Sequence, residues 1–133
     1  MAIREENFIY TTGWSAAMAA AGANAQLTLS IAADAPFKAY YLTVSVRQGA
    51  AGAELLVAAW AGDVQINDAQ VGKNIFNAAG PVDCLAGSGQ LPYILTPPRI
   101  FAASTSIIVT FTSNVATRTQ ANLCLHGAKL YQQ

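Results

Sequence analysis

Charge is what this sequence has least of. Seven basic and seven acidic side chains in 133 residues leave 11% charged positions and no net charge, against about 25% charged in an ordinary soluble domain. With an isoelectric point near 6.5, the chain lacks the basic footprint that phosphate backbones demand, so direct binding of DNA or RNA is not expected. Histidine is nearly absent as well. The single one, His126, is too few for a three-histidine zinc centre, and it carries no sign of a Ser-His-Asp relay.

Long apolar runs are also missing. The longest, Leu55-Leu56-Val57-Ala58-Ala59-Trp60-Ala61, falls far short of the roughly 18 residues that a spanning helix needs, so no transmembrane segment is expected. An export signal is not expected either. Glu5 and Glu6 spoil the basic start, and Trp14-Ser15 with Gly22-Ala23-Asn24 interrupts any apolar core, so the sequence reads as a mature intracellular chain. Two cysteines, Cys84 and Cys124, make no disulfide framework and no CxxC pair; both are expected as free thiols.

Short two-faced segments fill the chain instead. Gln26–Ile31 places Leu27, Leu29 and Ile31 on one face, and Tyr40–Arg47 places Tyr40, Leu42, Val44 and Val46 inward with Tyr41, Thr43, Ser45 and Arg47 outward. Ser106–Thr112 repeats the pattern with Ile107, Val109 and Phe111 inward and Ile108 as its one violation. In Gln120–Tyr131, Leu123 and Leu125 oppose Asn122, Cys124 and His126. Glu54–Trp60 reads as a strand covered on both faces with Trp60 in the core, and shorter strands are predicted at Phe8–Thr11, Val64–Asn67, Val82–Leu85 and Leu91–Leu95. Turn signals lie between them at Ala35-Pro36, Gly49-Ala50-Ala51-Gly52, Gly62-Asp63, Gly80-Pro81, Gly87-Ser88-Gly89 and Pro97-Pro98. Ser15–Ala21 reads as a loop or a single helical turn. The length fits one domain, residues 1–133, folded as an all-β antiparallel sandwich of jelly-roll type with less than about a tenth helix.

No group of residues announces a reaction. Asp83 beside Cys84 and Asp63 near Asp68 read as turn-capping residues, His126 reads as a surface or interface residue, and the two glycine-rich turns lack the lysine and the strand-to-helix setting of a phosphate loop. The sequence is therefore read as non-enzymatic, with no catalytic residue, cofactor or metal ligand assigned. Contact is the remaining role. Met1–Asn7 holds a large share of the charge and reads as a flexible arm ahead of the first strand. Ile3 and Arg4 in that arm, Phe8 just after it, and the aromatics Trp14 and Tyr41 are the candidate interface residues. So apolar a chain is expected to hide surface in a homo-oligomer.

The segments Pro98-Arg99-Ile100-Phe101, Ser106–Thr112 and Leu123-Cys124-Leu125-His126-Gly127-Ala128-Lys129-Leu130-Tyr131 resemble small structural proteins of tailed bacteriophages, among them capsid cement or decoration subunits with jelly-roll folds. The resemblance covers about a third of the chain. It implies a homo-oligomer on the outer surface of a virion, assembled in the host cytoplasm, that ties major capsid protein subunits together without chemistry. Collar, neck and fibre-attachment domains share the pattern, which leaves a lectin-like or attachment sandwich of a tail, collar or fibre as the alternative. That alternative would draw on Asn67-Asp68, Asn74, Asn77 and Tyr93.

Overall fold

The computed structural model describes residues 2–88 and 92–132. Gly89 and Leu91, which fall in an expected turn and an expected strand, lie outside the described residues, as does the side chain of Asp83. The described residues form ten strands and one helical turn: β1 (Ile3–Thr11), β2 (Asn24–Ser30), β3 (Phe37–Gln48), β4 (Leu55–Val57), β5 (Gly62–Asp68), β6 (Lys73–Asn74), β7 (Gly80–Pro81), α1 (Val82–Leu85), β8 (Tyr93–Phe101), β9 (Ser106–Ser113) and β10 (Thr119–Gln132). Sheet A runs β1-β10-β3, and the far edge of β3 is shared by β4 and β8. Sheet B runs β2-β9-β5, with β6 and β7 sharing the edge of β5. Every pairing between named strands is antiparallel, and the two sheets pack face to face as a β-sandwich.

The core follows from the alternation. Leu42, Val44, Val46, Leu123 and Leu125 from sheet A meet Leu29, Val64, Ile66, Ile107, Val109 and Phe111 from sheet B, and Trp60 closes one end 6.2 Å from the Phe111 ring. Both cysteines are free thiols. No helix among the described residues is long and apolar enough to cross a membrane.

Five local expectations are corrected. Ile3–Asn7 is not a flexible arm but the first half of β1, paired residue for residue with β10 from Ile3↔Gln132 onward and tied to β3 by Glu5, which accepts hydrogen bonds from Lys38 Nζ and Tyr40 Oη. Tyr40 does not point into the core. The β3 register shifts between Ala39 and Tyr41 opposite both β10 and β8, so Phe37 and Ala39 are inward before the irregularity and Leu42 resumes after it.

The apolar run Glu54–Trp60 contributes only the short strand β4, whose Leu55 and Leu56 are exposed, because β4 meets β3 only at its last residues. Val82–Leu85 forms a helical turn instead of a strand, closed by Ala86 N donating to Val82 O, with Pro81 ahead of it at a φ of −57° that suits a helix start. Finally, the fourth predicted short strand runs on through Pro97-Pro98, read as punctuation, because residues 95–98 have no register partner on β3 and no ladder bond is lost there. Of the two alternatives for Ser15–Ala21 the loop holds: Ser15 N donates to Ala121 O, Ala121 N donates to Ser15 Oγ, and Met18 and Thr119 exchange backbone hydrogen bonds, laying the segment along β10.

Candidate functional site

The two outer faces of the sandwich differ in chemistry. On sheet B the outward positions are Asn24, Gln26, Thr28 and Ser30 of β2, Ser106, Ile108, Thr110 and Thr112 of β9, and Asp63, Gln65 and Asn67 of β5. They are polar and mostly uncharged, with Ile108 the single apolar exception. Alternation alone dictates this surface, since each of these residues is one position out of phase with a core residue.

Sheet A presents a different surface. The register places Ile9, His126, Tyr41 and Ile94 in one row across β1, β10, β3 and β8. The Tyr41 and His126 rings stack with centroids 4.5 Å apart and planes 11° from parallel. His126 Nε2 lies 3.0 Å from Thr43 Oγ1, and partial burial lowers the imidazole pKa from its usual value. Stacking and one hydroxyl contact hold the ring in place on this face, and its lowered pKa favours the neutral form.

Toward one end of the face, the Arg47 guanidinium lies 4.4 Å from the Trp14 ring centroid and donates through Nε to Gln120 Oε1, and Leu56 stands opposite Arg47. Toward the other end, Lys38 and Tyr40 converge on Glu5, whose carboxyl these hydrogen bonds hold below its usual range. Ile100 stands opposite Lys38, and Ile3 ends the row along β1. Of the nine large apolar side chains exposed among the described residues, five lie on this face: Ile3, Ile9, Leu56, Ile94 and Ile100. Sheet B's outer face carries none of the nine.

Of the residues chosen from sequence, the structure gathers Ile3, Trp14 and Tyr41 on this surface and separates Arg4 and Phe8 from it. Those two occupy the opposite side of β1: Arg4 lies 5.2 Å from the Tyr131 ring and pairs with Glu6, and Phe8 lies under Lys129 Nζ at 4.2 Å. Lys129 and Tyr131 in turn donate to Asp34, holding that carboxyl below its usual range. Sequence reasoning missed Ile9, Leu56, Ile94 and Ile100. Ile9 was legible, being in phase with Ile3. Ile94 and Ile100 were not, because Pro97-Pro98 reads as a turn that ends the strand at Leu95 and leaves Ile100 outside it.

A cleft lies at the broken stretch of β8. Phe76, Tyr93, Leu95, Pro97, Pro98 and Arg99 line this cleft of about 290 Å³. The Arg99 Nε is buried there with no hydrogen-bond partner. Asn67 and Asn74, on the β5–β6 pair that leads to Phe76, spend one amide contact on each other. Asp68 is a turn cap as expected, accepting from Gln70 N and Thr105 Oγ1. Among the described residues, no three His, Cys, Asp or Glu side chains are grouped to hold a metal ion. Set against known proteins, the chain matches no protein family, no curated protein and no solved structure.

Proposed function

We propose that this protein is a non-enzymatic contact subunit that covers the outer face of sheet A with another protein, in the manner of a capsid cement or decoration protein. The observation that carries the reading is the contrast between the two outer faces. One sheet turns a polar surface to water, and the other gathers five exposed large apolar residues around a rigid Tyr41–His126 stack. Scattered apolar residues on a surface are ordinary, whereas their concentration on one face marks a contact surface. The low charge of the chain and the C-terminal resemblance to phage virion proteins support the same reading. On it, the protein is a jelly-roll homo-oligomer on the outside of a virion, and its partner is the major capsid protein.

A subunit that binds only an intact lattice stabilises it by mass action and by bridging neighbours. Particles made without the protein should therefore assemble yet break at lower temperature, or sooner on removal of divalent ions, and adding back purified protein should restore them. Particles equally robust without it, or a location confined to a tail, would end this reading.

The cleft at Tyr93 and Arg99 favours a second one, a lectin-like or attachment module. Aromatic walls beside an arginine whose buried Nε lacks a hydrogen-bond partner suit a sugar ring carrying an acidic group. Saturable binding on a glycan array, lost in Tyr93→Ala, would move the assignment there.

A further inference from the structure

The free edge of β1 points to a second copy of this chain. Thr12 N donates to Leu123 O, and the antiparallel ladder continues without a register shift from Thr11↔Cys124 to Ile3↔Gln132. In such a ladder alternate residues turn both backbone groups to the same neighbour. The even-numbered residues of β1 therefore face β10. Ile3, Glu5, Asn7, Ile9 and Thr11 turn their N–H and C=O groups outward, where no strand of the described residues meets them.

Natural sheets guard such edges with lysine, proline, a bulge or short length. β1 is nine residues long, unbroken and free of lysine and proline, and the only guard it carries is the charge of Arg4, Glu5 and Glu6. The opposite edge of sheet A, by contrast, is divided between the short β4 and the proline-interrupted β8. The edge of β2 in sheet B is also open, but its seven residues, Asn24–Ser30, carry no charge that could select a partner.

The charges of β1 select one. We infer that two copies pair antiparallel through their β1 edges about a two-fold axis at Glu5, so that one sheet runs through both molecules. Opposite residues in this register sum to ten. Arg4 of each copy then faces Glu6 of the other, exchanging the exposed intrastrand Arg4–Glu6 contact of 3.4 Å for two cross-strand pairs, and Ile3 faces Asn7 of the other. Residues of equal parity stay on the same side, so the two apolar outer faces become one continuous surface. Glu5 meets its own copy at the axis, but each carboxylate is already held by Lys38 and Tyr40. Centring the axis on Glu6 would instead set the two Glu6 carboxylates against each other and Arg4 against Phe8, leaving no cross-strand ion pair, and centring it on Asn7 would put Glu6 against Phe8. A net charge of zero leaves little repulsion between copies.

The test is independent of what the outer face binds. Sedimentation equilibrium at micromolar concentration should give twice 13.9 kDa for the wild type. Asn7→Pro removes only an outward N–H, which edge strands tolerate; it should give the monomer with an unchanged circular dichroism spectrum. Arg4→Glu should weaken dimerisation at least tenfold, and adding Glu6→Arg to the same chain should restore it. In a Cys84→Ser/Cys124→Ser background, Glu5→Cys should form an intermolecular disulfide under mild oxidation and Asn7→Cys should not. A monomeric wild type, a dimer indifferent to Asn7→Pro, or cross-linking through Asn7→Cys in place of Glu5→Cys would each overturn the proposal.

Discussion

Single residues set the shape of sheet A. Gly127 lies where β10 passes the irregularity of β3, and a Cβ built there would run into the Lys38 carbonyl oxygen. The obstacle is backbone, so it yields only if two paired strands separate. Gly127→Ala is expected to cost at least about 2 kcal/mol, the middle of the range for overpacking a close-packed interior; the shift of the urea midpoint at unchanged slope checks it. The same irregularity explains why Tyr40 was misread from sequence. Period two says which residues share a face only while the strand stays regular, and nothing in Ala39-Tyr40-Tyr41 betrays the extra residue. Ile108, by contrast, announced itself as an apolar residue on a polar face, and the structure places it there.

The titrating residues give stability a direction with pH. His126 is lowered by burial, so the unfolded chain binds its proton first, and stability falls as pH drops below the ordinary histidine value of about 6.5. Hydrogen bonds from Tyr40 and Lys38 lower Glu5, those from Tyr131 and Lys129 lower Asp34, and backbone donors with Arg118 lower Glu54. Their contribution is lost further down, as pH falls through the carboxylate range. Lys38 and Lys129 are raised by the same pairs, so their contribution disappears only above the usual lysine range. Urea midpoints should thus be level from pH 7.5 to 8.5 and decline in two stages toward pH 3. His126→Gln should flatten the upper stage alone; an unchanged upper stage would mean that another group titrates there.

At the level of elements, alternation made β2, β5, β9 and β10 legible, because each is regular, wet on one side and bounded by turn residues. β8 and β4 were not, for opposite reasons. The prolines of β8 sit where the ladder is interrupted, and the apolar run ending in Trp60 meets its neighbour at only three register positions. The reassignment of residues 3–7 from arm to strand changes what truncation should do. Removing residues 1–7 strips the backbone partners Glu6 and Arg4 from Lys129 and Tyr131 and the Glu5 anchor from Lys38 and Tyr40. Each net hydrogen bond lost costs roughly 0.5–1.5 kcal/mol, so the melting temperature should fall by several degrees. A truncated chain melting with the full one would mean that β1 adds nothing to stability. Leu55→Asp and Leu56→Asp should instead leave stability within about 0.5 kcal/mol, as exposed substitutions do.

For the whole molecule, the sandwich form was readable from the sequence, whereas the difference between its outer faces was not. That difference depends on which strands neighbour each other: β1, which opens the described fold, and β10, which closes it, lie side by side and bring Ile9 next to His126 and Tyr41. Such distant pairing also places the chain among slow folders, with refolding in milliseconds to seconds.

The facial contrast yields the prediction on which the contact reading depends. Ile9→Asp with Ile94→Asp places two charges beside the Tyr41–His126 stack, where both native side chains are more than half exposed. The melting temperature should therefore hardly move, while binding to the intact particle, followed by co-sedimentation, should drop at least tenfold. Gln65→Asp with Thr110→Asp adds the same charge to the opposite sheet and should leave binding unchanged, which separates a loss of contact surface from a general effect of charge. Equal losses from both pairs would point to electrostatics and away from a dedicated face. No loss from either would move the contact surface off sheet A.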